Sequence, residues 1–308
     1  MVAVEIVTYA AVVIFLAAVV YRVIRYSTTP LSLRWELYPV PHEKGRAAWG
    51  GSILEEPEWW KKPRQVDMIR ELREMLSEIA VLKGVWHHNR KLWWFSFPFH
   101  FGLYLCIGWV VLLLVAGIFG AAGVELGGGA ATVATWLLSM SGYVGLALVG
   151  LGALGLFARR LLDAGIRRYS APVDFFNLLL FIATAVVALT AQLVYDPRYS
   201  VITGFMASLV SFSTPADLPP LMVAEVVLGA VVVAYIPLGR MSHFVAKYFL
   251  YHKVRWEDEP NRPGSEIEQR IKQALGYRVN WSAPHIQKGR SWAEVATELP
   301  EEKKEVAQ

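Results

Sequence analysis

Cysteine is nearly absent from this sequence of 308 residues, and the single one, Cys106, falls inside a long apolar run. A disulfide framework and a cysteine-ligated metal cluster both need several cysteines, so this chain can build neither by itself. The sequence also has no Walker loop, no strand-borne GxGxxG, no HExxH, no paired CxxC and no visible internal repeat. These absences exclude the common nucleotide-binding and zinc-hydrolase motifs, and they disfavour a transporter, because transporters usually carry repeats.

Charge is scarce in five stretches, each of which is long enough to cross a bilayer as a helix. The chain is 55% hydrophobic, and the hydrocarbon core of a bilayer needs about 20 apolar residues per helix. The predicted spans are Val2–Tyr21, Phe95–Phe119, Ala131–Phe157, Phe175–Val194 and Leu221–Leu238, with the last one extended to Tyr251. Because backbone groups in lipid must be paired internally, we predict an all-α membrane protein with five transmembrane helices.

The first apolar run has the length of a signal peptide but not its charge pattern. A signal peptide has its basic residues before the apolar run. Here Arg22 and Arg25 follow the run, and no clear small-residue cleavage site is present. We therefore expect this segment to be a retained first span.

Lysine and arginine segregate to one side of the predicted spans. The stretch Arg22–Lys91 holds 13 of them, Arg159–Arg168 holds 4, and the chain from Arg240 onward holds 12, so that only Arg198 of the 30 lies on the other side. The positive-inside rule then places the N-terminus outside, and the large loop between helices 1 and 2 and the C-terminal tail in the cytoplasm. We expect a multi-pass protein of a prokaryotic cytoplasmic membrane that is embedded in the lipid bilayer. Because the basic residues follow the membrane topology, we do not expect them to bind nucleic acid.

The predicted topology divides the chain into four parts: a first transmembrane helix (1–22), a cytoplasmic loop (23–92), a four-helix transmembrane bundle (93–251) and a cytoplasmic tail (252–308). Within the loop, Gln65–Leu82 carries apolar residues at helical spacing. This spacing predicts an amphipathic helix that lies on the membrane surface or on a partner. The tail is polar, and its last stretch from Glu298 is charged.

Two of the seven histidines, His100 and His243, fall within or at the edge of predicted spans. His100 follows the cytoplasmic start of the second span, and His243 lies near the cytoplasmic end of the fifth span, which runs the opposite way. The two imidazoles are therefore predicted at similar depth, as a haem held by two histidines requires. A histidine near an interface can equally hydrogen-bond a neighbouring helix, so depth alone leaves both interpretations open.

The residues around these histidines resemble a known family. The segments WWFSFPFHFG (Trp93–Gly102) and PLGRMSH (Pro237–His243) resemble the second and fifth helices of the respiratory nitrate reductase gamma-subunit family, which are five-helix cytochrome b membrane anchors. The segments LRWELYPVPHE (Leu33–Glu43) and HNRKLWW (His88–Trp94) resemble a branch found in transmembrane redox complexes of sulfate reducers. In that branch the cytochrome subunit is paired with a heterodisulfide-reductase-like iron–sulfur protein. The resemblance covers residues 1 to about 255.

The resemblance implies that His100 and His243 are the axial ligands of a haem b near the cytoplasmic side. It also implies electron exchange between quinol, here menaquinol, and a cytoplasmic iron–sulfur subunit in sulfur-compound metabolism, with further membrane or periplasmic cytochrome subunits in the complex. The family's second, outer haem is missing or held differently, because Val110 and Glu225 stand near its ligand positions. The alternative function is a haem-free membrane anchor or assembly subunit of a redox complex.

Two more histidines are candidates for a second haem. His88 precedes His100, and His252 follows His243. If the helices continue, both lie at matching depths further toward the cytoplasm. They are otherwise polar residues beside an interfacial tryptophan belt. Basic residues near this face have two interpretations, as contacts of haem propionates or of lipid head groups: Arg90, Arg159, Arg160 and Arg240.

Glu225 is an isolated carboxylate early in the fifth span, near the predicted outer side. Quinol oxidation releases protons, and a carboxylate at this depth can accept them. A structural hydrogen bond to a neighbouring span explains the residue equally well. Three further polar residues are predicted near the same face: Gln192, Tyr195 and Asp217.

Overall fold

A computed structural model describes residues 1–29, 58, 61, 67–124, 127–214, 217–251 and 262–298. Within these ranges the chain is helical, and the only β-structure is two isolated bridges, Arg278 to Ser291 and Ala283 to Ile286. The predicted all-α class is therefore confirmed. The loop segment Leu33–Glu43 and His252 lie outside the described residues.

The described residues form thirteen α-helices, one π-helical segment and one 3₁₀ turn. The first half contains α1 (Val2–Thr28), α2 (Met68–Ala80), α3 (Lys83–His88), α4 (Arg90–Ala121), α5 (Gly128–Ser139), a π-helical segment (Met140–Val144) and α6 (Gly145–Leu162). The second half contains α7 (Ala164–Arg168), α8 (Pro172–Tyr195), α9 (Ser200–Ser211), α10 (Pro220–Tyr235), a 3₁₀ turn (Arg240–Ser242), α11 (His243–Leu250), α12 (Glu266–Leu275) and α13 (Trp292–Thr297).

Four helical stretches of the described chain are long and apolar enough to cross a membrane. They are Val2–Thr28, Arg90–Ala121, Gly128–Leu162 and Pro172–Tyr195. A fifth span is present if a broken helix pair is counted as one span. The two helices, Pro220–Tyr235 and Arg240–Leu250, meet the same test only together. Every predicted span therefore corresponds to a helix or to a helix pair.

The fifth span is broken, contrary to the expected extension to Tyr251. Helix α10 ends at Tyr235, and the amide groups of Leu238 and Gly239 both donate to the Tyr235 carbonyl, at 3.1 and 3.3 Å. Pro237 explains the break, because its ring fixes φ, removes an amide donor and clashes with the preceding turn. His243 is consequently the first residue of a new helix.

The two compact units of the chain are Met1–Val19 with Met75–Ser242, and Val20–Glu74 with His243–Gln308. The first unit is built on α4, which packs on α6 through glycines. A Cβ atom added to Gly152 would lie 2.6 Å from the backbone nitrogen of Phe99, and one added to Gly102 would lie 2.7 Å from that of Val149. Small residues allow such close helix approach in membranes.

Helix α9 occupies part of the region 196–220, which the sequence pattern presents as a loop. It has 12 residues and is too short to cross a bilayer. One side chain of α1 holds the end of α9 through two contacts. The Tyr9 hydroxyl donates to the Leu209 carbonyl at 2.7 Å, and the Tyr9 ring stacks on Phe212, the residue after the helix. A Cβ atom on Gly117 of α4 would lie 2.9 Å from the Met206 side chain. Helix α9 is therefore part of the packed bundle.

The predicted amphipathic helix is present as α2. Its apolar residues Ile69, Leu72 and Leu76 are exposed. Two polar aromatic side chains of α4 bind carbonyls at and just beyond its C-terminus: the Tyr104 hydroxyl donates to Ile79 at 2.7 Å, and the Trp93 indole donates to Val81 at 2.8 Å. The last carbonyls of a helix lack partners within the helix, so these bonds fix the end of α2 against α4.

The described part of the tail is folded. Ser265 and Ser291 cap α12 and α13 through their hydroxyls. Between these helices the Val279 amide donates to the Arg290 carbonyl at 2.8 Å, and the Trp292 amide donates to Tyr277 at 3.0 Å. The sequence pattern gives only a polar segment here, because the apolar residues of this small unit are few.

The glycine packing of α4 on α6 gives a direct stability test. Gly152→Ala places a methyl group into the Phe99 backbone, and overpacking of this kind costs roughly 1–3 kcal/mol. We expect a lower melting temperature in detergent than for the matched control Gly229→Ala, since a Cβ atom on Gly229 meets nothing within 4 Å. Equal melting temperatures of the two variants would contradict this description of the interface.

Candidate functional site

His100 is oriented by a hydrogen bond to its own helix. Its Nδ1 lies 2.7 Å from the Ser96 carbonyl oxygen, to which only a protonated nitrogen can donate. The neutral imidazole then carries its lone pair on Nε2. Histidines that bind metals commonly have their second nitrogen fixed in this way. The hydrogen bond therefore orients the half-buried His100 ring and favours the tautomer that can bind haem iron through Nε2.

Aromatic side chains surround this part of α4. Phe99 meets the His100 ring edge-on at a centroid distance of 5.4 Å and also contacts Phe181 of α8. Trp93, Phe97 and Phe101 form a stacked column with centroid distances of 4.5 and 5.7 Å. These apolar surroundings are compatible with a flat macrocycle next to the imidazole.

His243 is exposed and opens α11 in the second compact unit, whereas His100 belongs to the first. Their pairing on one haem stays a prediction of the sequence. No group of three or more metal-ligating side chains occurs among the described residues. A haem held by two imidazoles needs only two such residues, so this observation is compatible with the predicted pair.

The second predicted histidine pair receives no support from helix continuity. His88 ends α3, and Asn89, with φ −152° and ψ 73°, separates α3 from α4. The matching of depths assumed a helix that continues from His100 back to His88. His252 lies outside the described residues. Arg90, the neighbouring propionate candidate, lies over the Trp86 ring at 4.7 Å.

Two of the other predicted propionate contacts already have a carboxylate partner. Arg240 lies 3.4 Å from Oδ1 of Asp174, and Arg160 lies 3.9 Å from Oδ2. The same carboxylate caps α8 by accepting the Ala171 amide at 2.9 Å. One turn further along α8, the side-chain oxygen of Asn177 accepts the Tyr235 hydroxyl at 2.9 Å and joins α8 to α10.

Glu225 forms a buried pair with Gln192, which the sequence predicted to lie near it. The Gln192 amide nitrogen donates to both carboxylate oxygens, at 2.7 and 2.8 Å, and the two residues are 0% and 6% exposed. The structural hydrogen bond between neighbouring spans is thereby confirmed. Tyr195 and Asp217 are exposed, so neither shares this buried site.

Three aromatic residues near this pair were not predicted. The indole nitrogen of Trp109 and the hydroxyl of Tyr199 are buried without a hydrogen-bond partner, as is the side-chain oxygen of Gln192. Tyr143 packs on Tyr199 with ring centroids 5.1 Å apart and donates to the Pro197 carbonyl at 3.2 Å. The sequence gives no signal for this cluster, because aromatic residues in apolar spans are common in packing and interfaces.

The comparison with known proteins identifies a family for most of this bundle. The model of the nitrate reductase gamma subunit matches residues 85–257, which include α4 to α11. Members of that family are haem-containing membrane cytochrome b subunits of multisubunit quinol oxidoreductases. None of the curated proteins matches the chain.

The Gln192–Glu225 pair predicts a non-additive effect on stability. Gln192→Leu leaves a buried carboxyl group without its donor, which costs roughly 1–3 kcal/mol or more. The double variant Gln192→Leu with Glu225→Leu removes both partners and is expected to recover most of the lost melting temperature. Thermal unfolding in detergent measures both. A double variant that is less stable than the single one would contradict the pairing.

Proposed function

Since the chain belongs to the nitrate reductase gamma subunit family, we propose that it is the haem b subunit of a respiratory complex. In this proposal it exchanges electrons between the quinone pool, specifically menaquinone, and a cytoplasmic iron–sulfur subunit. The observation that carries the proposal is the orientation of His100, whose Nδ1 is bound to the Ser96 carbonyl at 2.7 Å. This bond presets Nε2 as a ligand nitrogen.

His100 and His243 are the proposed axial ligands of one haem b. The haem supplies a carrier that takes one electron at a time. His100 contributes a fixed imidazole on α4. His243 contributes the second imidazole from the start of α11, next to the break that Pro237 creates. A second haem on His88 and His252 is not part of the proposal, because α3 ends at His88.

Glu225 is the proposed acceptor of a proton from quinol. Oxidation of a quinol releases two electrons and two protons, and the protons need a base near the reacting hydroxyl. The Glu225 carboxylate is buried, and Gln192 holds both of its oxygens. By the resemblance, it stands near a ligand position of the family's outer haem, which in this chain is missing or held differently.

The proposed partner is a heterodisulfide-reductase-like iron–sulfur protein that docks on the cytoplasmic loop and tail. Two observations support docking of this partner on the cytoplasmic side. One is the segregation of 29 of the 30 basic residues, and the other is the resemblance of Leu33–Glu43 and His88–Trp94 to sulfate-reducer complexes. The same resemblance supports a role in sulfur-compound metabolism, further membrane or periplasmic cytochrome subunits and a prokaryotic inner membrane. Arg90 and Arg240 are proposed contacts of the haem propionates; for Arg240 the propionate would share or replace Asp174.

The haem assignment predicts a b-type spectrum that depends on two histidines. Reduced-minus-oxidised spectra and pyridine haemochrome assays of the purified chain should show one haem b per protein. His100→Ala and His243→Ala should each abolish or strongly reduce it, because each removes one iron ligand. His285→Ala, in the exposed part of the tail, is the matched control and should keep the wild-type spectrum.

A folded wild-type protein without haem would contradict the proposal and favour the haem-free anchor. A spectrum that survives both histidine substitutions would contradict the ligand assignment. Two haems per protein would support His88 and His252 as ligands of a second haem.

The role of Glu225 predicts a slower reaction with quinol and an unchanged haem. Glu225→Gln keeps the shape of the side chain but cannot take up a proton, so we expect reduction of the haem by a menaquinol analogue to slow by roughly 100-fold. Stopped-flow absorbance measures this rate. Reduction by dithionite is the control and should stay at the wild-type rate. An unchanged rate with the quinol would exclude Glu225 as the acceptor.

A further inference from the structure

Among the described residues, four buried side-chain atoms have no hydrogen-bond partner. One is Glu5 Oε1 on α1. The other three are Trp109 Nε1 on α4, Tyr199 Oη in the connection before α9, and Gln192 Oε1 on α8. Their residues are 8%, 0% and 0% exposed. A buried polar atom without a partner is destabilising, and most such atoms in folded proteins bind either protein or ordered water. Three of them in one packed region indicate a bound ligand.

Gly142 connects two of these atoms. A Cβ atom added to Gly142 would lie 2.5 Å from Tyr199 Oη and 3.0 Å from Trp109 Nε1. The hydroxyl and the indole nitrogen therefore point toward the same backbone position. Gly142 belongs to the π-helical segment Met140–Val144, and π-segments inside helices occur frequently at functional sites.

Tyr199 is held in place at a conformational cost. It adopts φ 60° and ψ 23°, the left-handed region that residues with a side chain rarely occupy. The connection around it is fixed by Asp196, whose carboxylate accepts the amides of Ser200 and Ile202 at 2.7 and 2.9 Å. Strained residues of this kind are concentrated at functional sites.

The chemistry of the three atoms fits water. The indole of Trp109 can only donate, the hydroxyl of Tyr199 can donate or accept, and the side-chain oxygen of Gln192 can only accept. A water molecule accepts two hydrogen bonds and donates two, so it can satisfy both kinds of group. Buried waters in proteins commonly make about three such bonds.

The cluster lies between Glu225 and an exposed part of the chain. Gln192 donates to the Glu225 carboxylate directly. Its neighbour Ala191 belongs to the same buried cluster as Trp109 and Tyr199, and Tyr143 packs against that cluster. The Tyr143 ring packs on that of Tyr199, with centroids 5.1 Å apart, and the Tyr143 hydroxyl donates to the carbonyl of Pro197 at 3.2 Å. Pro197 is exposed in the connection between α8 and α9.

We propose that Trp109, Tyr199 and Gln192 bind ordered water that, together with Tyr143, forms a proton outlet from Glu225 to the exposed connection at Pro197. A proton on Glu225 passes to the bound water, and each hydroxyl or water takes one proton as it releases another. Solvent water at the exposed connection accepts the last proton, and the carboxylate returns to its ionised form. No electron moves in this relay. The inference rests on the proposed function only for the source of the proton, which is quinol.

Infrared spectroscopy of the purified holoprotein tests the outlet without quinol. The carboxyl band of protonated Glu225 is identified by its loss in Glu225→Gln, and its rate of exchange after transfer from H₂O to D₂O is measured. Tyr199→Phe removes a hydroxyl from the water site, so the band should shift and exchange should slow by about tenfold or more. Tyr195→Phe is the matched control, an exposed tyrosine near the same connection, and should behave as wild type.

Tyr143→Phe is a second variant for the case in which Tyr199→Phe does not fold, and it should slow the exchange to a similar degree. If Tyr199→Phe and Tyr143→Phe, where they fold, both exchange at the wild-type rate, the proposed proton outlet is wrong. Absence of a Glu225-dependent band at any accessible pH would overturn it as well, because a group that takes no proton cannot begin a relay. A tenfold lower affinity of Tyr199→Phe for a menaquinol analogue with unchanged exchange would instead assign the cluster to the quinol ring.

These outcomes are separate from those of the proposed function. If the wild-type protein binds no haem or does not react with quinol, the function fails while exchange at Glu225 still decides the outlet. If quinol reduces the haem but exchange does not depend on either tyrosine, the function stands and the outlet fails.

Discussion

No water is available in the hydrocarbon core of a bilayer to pair a polar group, and every span of this chain is built under that constraint. Helices satisfy the backbone within each span. Where a helix ends or breaks, side chains replace the missing bonds: Tyr104 and Trp93 bind the terminal carbonyls of α2, and Asp174 caps α8. The buried carboxylate of Glu225 has Gln192 as its partner for the same reason. Trp109, Tyr199 and Gln192 each keep one buried atom unpaired, and this exception points to a ligand.

The membrane-spanning helices could be predicted from hydropathy and charge, because a span of about 20 apolar residues is a strong signal. Two features could not be predicted in this way. Helix α9 is too short to register as a span, and it is recognisable only through its contacts with Tyr9 and Gly117. The break after Tyr235 is encoded by Pro237, but prolines also occur within membrane helices, as Pro98 does in α4. Sequence pattern alone does not distinguish these two cases.

The residues of the candidate site also divide into those that the sequence predicted and those that it did not. His100 and Glu225 were predictable because a titratable group in an apolar span is rare and costly. Trp109, Tyr199 and Tyr143 were not, because their role depends on which polar atoms lack partners, and this is a property of packing. The hydrogen bond between Asn177 and Tyr235 is a further example, because it joins two helices whose contact the sequence pattern does not show.

The account combines electron transfer at His100 and His243 with proton release from Glu225, and its central claim is a haem with two imidazole ligands. Electron paramagnetic resonance of the oxidised protein, with and without ¹⁵N-labelled histidine, examines the iron itself. We predict a low-spin ferric signal whose pulsed spectra show two imidazole nitrogens, with one lost or replaced in His243→Ala. A high-spin signal, or coupling to fewer than two histidine nitrogens in the wild-type protein, would contradict the account.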